Sequence, residues 1–212
     1  GGLLPCVVRG RARGRLRGGA PLTVATAGRK QTIARLLGPL PLGRVGRALE
    51  RRRSRALVVN LHSVPARHAG DFRALLGRLA DRFALGEPEG LEDAVRSGVE
   101  RPTLFLAFDD GLANHAEVAA PILAEHGARA IFCLPADFLD AAPTEQLPWF
   151  RRRVYPRPTE LHRDEDIRAL TWEQAAALAE AGHRIASHGS AHVELTAEVA
   201  DDVLEREIVG SR

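Results

Sequence analysis

Methionine is missing from this chain of 212 residues, and the first residue is Gly1. No initiation residue opens the sequence, so we expect a processed or cut stretch. Nothing at this end has the layout of a full secretory signal, which leaves export open between the cell envelope and the cytoplasm. Cysteine is almost as scarce. Cys6 and Cys133 stand far apart, and Cys133 lies in the apolar run Ala130-Ile131-Phe132-Cys133-Leu134. A buried free thiol is expected there rather than a disulfide or a nucleophile. No run of 18 apolar residues occurs, so no spanning helix is indicated. Acids are nearly absent from residues 1–55, where 14 Lys and Arg face Glu50 alone.

That last scarcity divides the chain. The net charge of +3 hides +13 in residues 1–55 and −10 in the remainder, as for a basic arm on a mildly acidic domain. In the arm, the run from Arg9 to Gly19 alternates arginine with glycine; glycine opposes a helix and like charges repel, so disorder is expected. A helix fits residues 45–55. The arm lacks interleaved aromatics for base stacking, so no nucleic acid is expected. Weak contact with an anionic membrane surface is the functional alternative to a plain extension.

The domain is organised around Thr103-Leu104-Phe105-Leu106-Ala107-Phe108-Asp109-Asp110-Gly111. A short apolar run closed by a turn signal reads as a buried strand. Adjacent acids at its C-terminal end are costly unless a cation compensates, and parallel α/β folds place their chemistry at strand C-termini. Further along, His188-Gly189-Ser190-Ala191-His192 carries two histidines with three residues between them. That spacing suits one divalent metal. One carboxylate and two imidazoles leave room for water, the open site a hydrolytic metal needs. Asp109 then stands beside that water as a general base.

Phe108-Asp109-Asp110-Gly111 and His188-Gly189-Ser190-Ala191-His192 together resemble the first two motifs of the polysaccharide deacetylases, carbohydrate esterase family four. Trp172-Glu173-Gln174, Gly182-His183 and Leu195-Thr196 match the surrounding pattern. The resemblance covers roughly residues 56 to 212. It implies Asp109 as base, with Asp110, His188 and His192 as ligands of a metal, usually zinc. It implies a distorted (β/α) barrel and an N-acetylated polysaccharide or oligosaccharide as substrate. Ala107 and Gly189 depart from the family pattern, which has Thr or Ser at both places; at Gly189 a hydroxyl that steadies the loop is lost. The family's later motifs supply an arginine that orients the base, an oxyanion donor and a histidine acid. Twenty residues after His192 leave no room for them, so the N-terminal part of such a domain, with marginal stability, is expected.

The other segments give the architecture. Residues 57–62, 103–109, 129–134 and 183–187 read as strands. Helices are expected over Asp71–Phe83, Leu91–Ser97, Asn114–His126, Thr171–Ala181 (Thr171 as N-cap, Gln174 completing the box) and Glu198–Val209. Strand and helix alternate, which predicts a parallel α/β fold: a partial barrel over residues 56–212 behind the arm of residues 1–55. His115 and His126 are expected on the surface. Residues 135–170, with five prolines, read as a long loop over the site. His62, Trp149 and Tyr155 are candidate substrate contacts. Asp164-Glu165-Asp166 reads as a helix-start acid cluster.

The expected activity is metal-dependent hydrolysis of the carbon–nitrogen bond of an N-acetyl group on an amino sugar. A relative acting on a non-sugar amide, or a silent domain serving binding or architecture, is the alternative.

Overall fold

The computed structural model describes residues 56–211; the basic arm, Cys6 and the helix expected over 45–55 lie outside the described residues. A strand that is apolar on both faces must be covered on both, as a central parallel strand is. β3 (Thr103–Phe108) meets that condition, with residues 104–108 all buried. β1 (Ala56–Leu61) runs parallel to it along its whole length, from Ala56 opposite Thr103 to Leu61 opposite Phe108. β4 (Ile131–Leu134) pairs with the last two residues of β3, and β5 (Arg184–Ser187) pairs with β4. The order is β1-β3-β4-β5, all parallel. A two-residue strand absent from the sequence reading, β2 (Ala84–Leu85), pairs with the start of β3.

Helices pack this sheet. α1 (Ala69–Ala80) turns Phe72 and Leu76 into the core, and α2 (Leu91–Ser97) leads into β3. After β3, one π-helical turn (His115–Ala119) runs into α3 (Ala120–Glu125). α6 (Trp172–Glu180) starts on the capping box read from the sequence, with both reciprocal bonds made between Thr171 and Gln174. α7 (Asp201–Ile208) follows β5. Cys133 is buried. Among the described residues no helix is long and apolar enough to cross a membrane.

Residues 135–170 are not one long loop. They form α4 (Ala136–Leu139) and α5 (Pro143–Arg153), and a second apolar cluster gathers Leu112, Phe138, Trp149, Phe150, Ile167 and Ala169. Pro143 sits at the start of α5, where a missing N–H is harmless. Pro148 lies inside the helix and costs it a bond; burial of its neighbours Trp149 and Phe150 offsets that cost. The three acids at Asp164–Asp166 form a short 3-10 turn, with Asp164 paired to Arg151 and Asp166 to Arg67.

Candidate metal centre

Both acids stand just past the end of β3. Asp109 N–H donates to Leu61 O at 2.9 Å, carrying the β1–β3 ladder one residue further. The chain then turns through left-handed backbone at Asp110 (φ 75°) and Gly111 (φ 61°). Aspartate tolerates that region better than most residues, while position 111 needs glycine for a second reason: a Cβ there would meet Leu139 Cδ1 at 2.9 Å. The end of the 135–170 segment grips this turn directly, through Leu170 N–H to Gly111 O (2.8 Å) and Ala113 N–H to Arg168 O (2.7 Å).

Asp110 is 1% exposed, and neither carboxylate oxygen has a hydrogen-bond partner. A buried carboxylate in that state needs a positive charge nearby. The Nε2 atoms of His192 and His188 lie 3.4 and 3.7 Å from its Oδ1, outside hydrogen-bond geometry. Burial alone would raise the Asp110 carboxyl. The two rings, with the fields of His62 and His192, outweigh burial and hold it well below the usual carboxylate range.

The histidines come from the loop after β5. His188 N–H donates to Leu134 O at the end of β4 (2.9 Å). Gly189 (φ 79°) and His192 (φ 55°) both adopt left-handed backbone. His192 Nδ1–H donates to the carbonyl of Arg153 at the end of α5 (3.1 Å). That bond fixes the orientation of the ring and turns Nε2 towards Asp110. One donor atom each from Asp110, His188 and His192 lies within 4.8 Å of the others, the only such group among the described residues. Metal–ligand bonds of about 2.0–2.1 Å put neighbouring tetrahedral donors roughly 3.4 Å apart, close to the two N–O separations. A carboxylate and two imidazoles therefore fit one divalent ion with a position left open.

Asp109 is held differently. It is 6% exposed, and Asn60 Nδ2–H donates to its Oδ2 at 2.5 Å; His188 Nε2 is 3.9 Å from the same oxygen. Asn60 was missed in the sequence, where it is one polar residue in an apolar strand. The parallel register that places it opposite Ala107, two residues before Asp109, is what brings it within reach.

His62 is half-buried, its ring centroid 6.3 Å from that of Tyr155. Tyr155 stacks on His162 at 4.2 Å. Trp149 is not with them. It is 8% exposed and stacked on Phe138 at 4.9 Å, because the second cluster needs its surface, so the indole offers no open face to a sugar ring. His115 is not a surface residue either. It is fully buried against Phe108 and Phe132, and its Nε2–H donates to His62 O at 3.0 Å. Burial pushes its imidazole down to about 4, against the opposing pull of the His62 carbonyl and the two acids. His126 is half-buried and bonded to Ile122 O.

Residues 96–212 match the family described as Polysaccharide deacetylase. No curated protein matches the sequence. Among solved structures, the Streptococcus pyogenes deacetylase PplD in complex with acetate superposes with a TM-score of 0.53 at 18% identity, over 76% of this chain and 66% of that one. A Bacillus anthracis protein of polysaccharide deacetylase type gives 0.52 at 17%, over 75% of this chain and 46% of that one. At such identities the likeness establishes the fold: a parallel α/β sheet of the polysaccharide deacetylase kind. The chain spans less than two thirds of the length of either.

Proposed function

Since the chain belongs to the polysaccharide deacetylase family, we propose that it is a metal-dependent hydrolase removing N-acetyl groups from an amino-sugar polymer. The observation that carries this reading is Asp110, whose two buried oxygens lack hydrogen-bond partners while two imidazole nitrogens lie within 3.7 Å of one of them. A closed structural salt bridge would spend those oxygens on hydrogen bonds.

Asp110, His188 and His192 would hold a divalent ion, with zinc the metal that suits two nitrogens and one carboxylate oxygen. When bound, such an ion would supply a Lewis acid for the amide carbonyl and the attacking water. Asp109 takes the proton of that water, and Asn60 fixes the carboxylate in the orientation to do so. The water oxygen adds to the carbonyl carbon, the carbon–nitrogen bond breaks, and the amine leaves with the proton that Asp109 took from the water, while acetate departs. His62 and Tyr155 line the approach. β1 belongs to the working unit, because it supplies Asn60.

Acetate release from N-acetylglucosamine oligomers, measured with and without added zinc, tests the proposal. The expected result is zinc-dependent release, abolished by chelation and by Asp110→Asn and lost in Asp109→Asn with zinc still bound. Zinc bound tightly without acetate release from any oligomer would overturn it and favour a silent domain.

A further inference from the structure

Outside the cluster, the most buried carboxylate among the described residues is Glu207 on α7, 3% exposed. Its Oε1 and Oε2 accept from Ala191 N–H at 3.0 and 3.1 Å, and Oε2 also from Val193 N–H at 3.4 Å. It thus grips the main chain on both sides of His192. Its neighbours grip the rest of the same loop. Ser190 Oγ–H donates to Arg206 O at 2.9 Å. Ser211 Oγ–H donates to Glu207 O at 2.7 Å and its oxygen lies 2.5 Å from Ser187 Oγ. Ser187 Oγ in turn accepts from Gly189 N–H at 3.1 Å.

Gly189 completes the arrangement. Its φ of 79° is left-handed, and a Cβ there would collide with Glu207 Oε2 and approach Cδ to 3.5 Å. The carboxylate occupies the space a side chain at 189 would take. A charged acceptor for main-chain N–H groups is stronger than a neutral one, and a loop with two left-handed residues needs outside restraint to hold its shape.

We propose that Glu207 is a positioning residue of the metal centre: α7 clamps the loop and thereby sets the two Nε2 atoms at their distances from Asp110. The absence of a hydroxyl side chain at 189 is the counterpart of this clamp. The inference rests on the metal reading above, and its test separates the two.

Zinc dissociation constants of the full chain are measured by chelator competition, alongside thermal unfolding without metal and the visible spectrum of the cobalt-loaded protein. Glu207→Gln keeps the volume and one acceptor but loses the charge. It is expected to weaken zinc binding by roughly 10-fold or more, in the range that loss of supporting contacts costs, and to shift the cobalt bands while unfolding moves little. Gly189→Ser, which pushes on the same carboxylate, is expected to weaken binding as well, with the double variant less affected than the two effects combined. Glu207→Ala, if it fails to fold, is replaced by the Gln variant, which preserves packing. Wild-type affinity and an unchanged cobalt spectrum in both Glu207→Gln and Gly189→Ser would overturn the clamp alone. A wild-type chain that takes up no zinc would overturn the metal reading and the clamp together.

Discussion

The apolar cluster beneath the sheet and the one built from residues 136–170 meet at the turn of Asp110 and Gly111, and they are made in different ways. The first gathers side chains from β3, β4, α1 and α3, each presented by a regular period of strand or helix. The second rests on aromatic residues in a proline-interrupted segment, Phe138, Trp149 and Phe150, with no clean period to advertise them. Yet the irregular region serves the site as much as the regular one. It supplies the Arg153 carbonyl that orients His192 and the two main-chain bonds that pin the turn behind Asp110. A segment that looks like a covering loop is thus a wall of the candidate metal centre.

The comparison breaks most readily by truncating one aromatic from each region. Phe132 and Phe150 are both fully buried. Phe132→Ala and Phe150→Ala are each expected to lower unfolding free energy by about 3–5 kcal/mol, measured in urea. Phe150→Ala is also expected to weaken zinc binding, since α5 carries Arg153. A cost below about 1 kcal/mol for Phe150→Ala would mean that the second region only drapes over the first.

Acid sharpens the contrast next. Unfolded histidine titrates near 6.5, whereas His115 in the fold is held down to about 4. Above pH ~6.5 neither state carries the proton and stability is independent of it. From there down to about 4 the unfolded chain binds a proton that the folded chain refuses, so stability falls with pH. The loss attributable to His115 is on the order of 3 kcal/mol at the lower limit, and His162 and His183, lowered mainly by burial, add in the same direction. Denaturation curves at pH 7 and 5 are expected to converge in His115→Gln relative to wild type.

Asn60 tests whether the regular region also reaches the chemistry. Asn60→Ala removes a bond to a carboxylate, worth about 1.5–3 kcal/mol, so acetate release is expected to slow roughly 10–100-fold with zinc affinity unchanged. A rate equal to wild type would remove Asn60 from the site. The smallest effect belongs to a local feature. Thr171→Ala deletes an N-cap and is expected to cost about 1 kcal/mol with no change in zinc binding.

Local signals were legible wherever a short stretch settles its own conformation. The four expected strands lie within two residues of their observed ends, because each is an apolar run closed by a turn. The Thr171 cap was legible because both of its bonds close within three residues. The segment 135–170 is not legible as helix because prolines read as breakers, whereas Pro143 opens a helix and burial outweighs Pro148. His115 was misplaced because its polar neighbours hide a face turned under Phe108.

The residue order by itself determined the parallel α/β alternation and two polar clusters, one at the end of an apolar strand and one in a five-residue loop. Only the tertiary structure decided that Asp110 Oδ1 and two imidazole nitrogens share one point, that Asn60 holds Asp109, that Glu207 grips the loop of His188 and His192, and that Trp149 is spent on packing. Each of these contacts joins residues separated by a strand, a helix or more of chain. Chain folding in three dimensions brings them together, and no period or spacing within one segment encodes it.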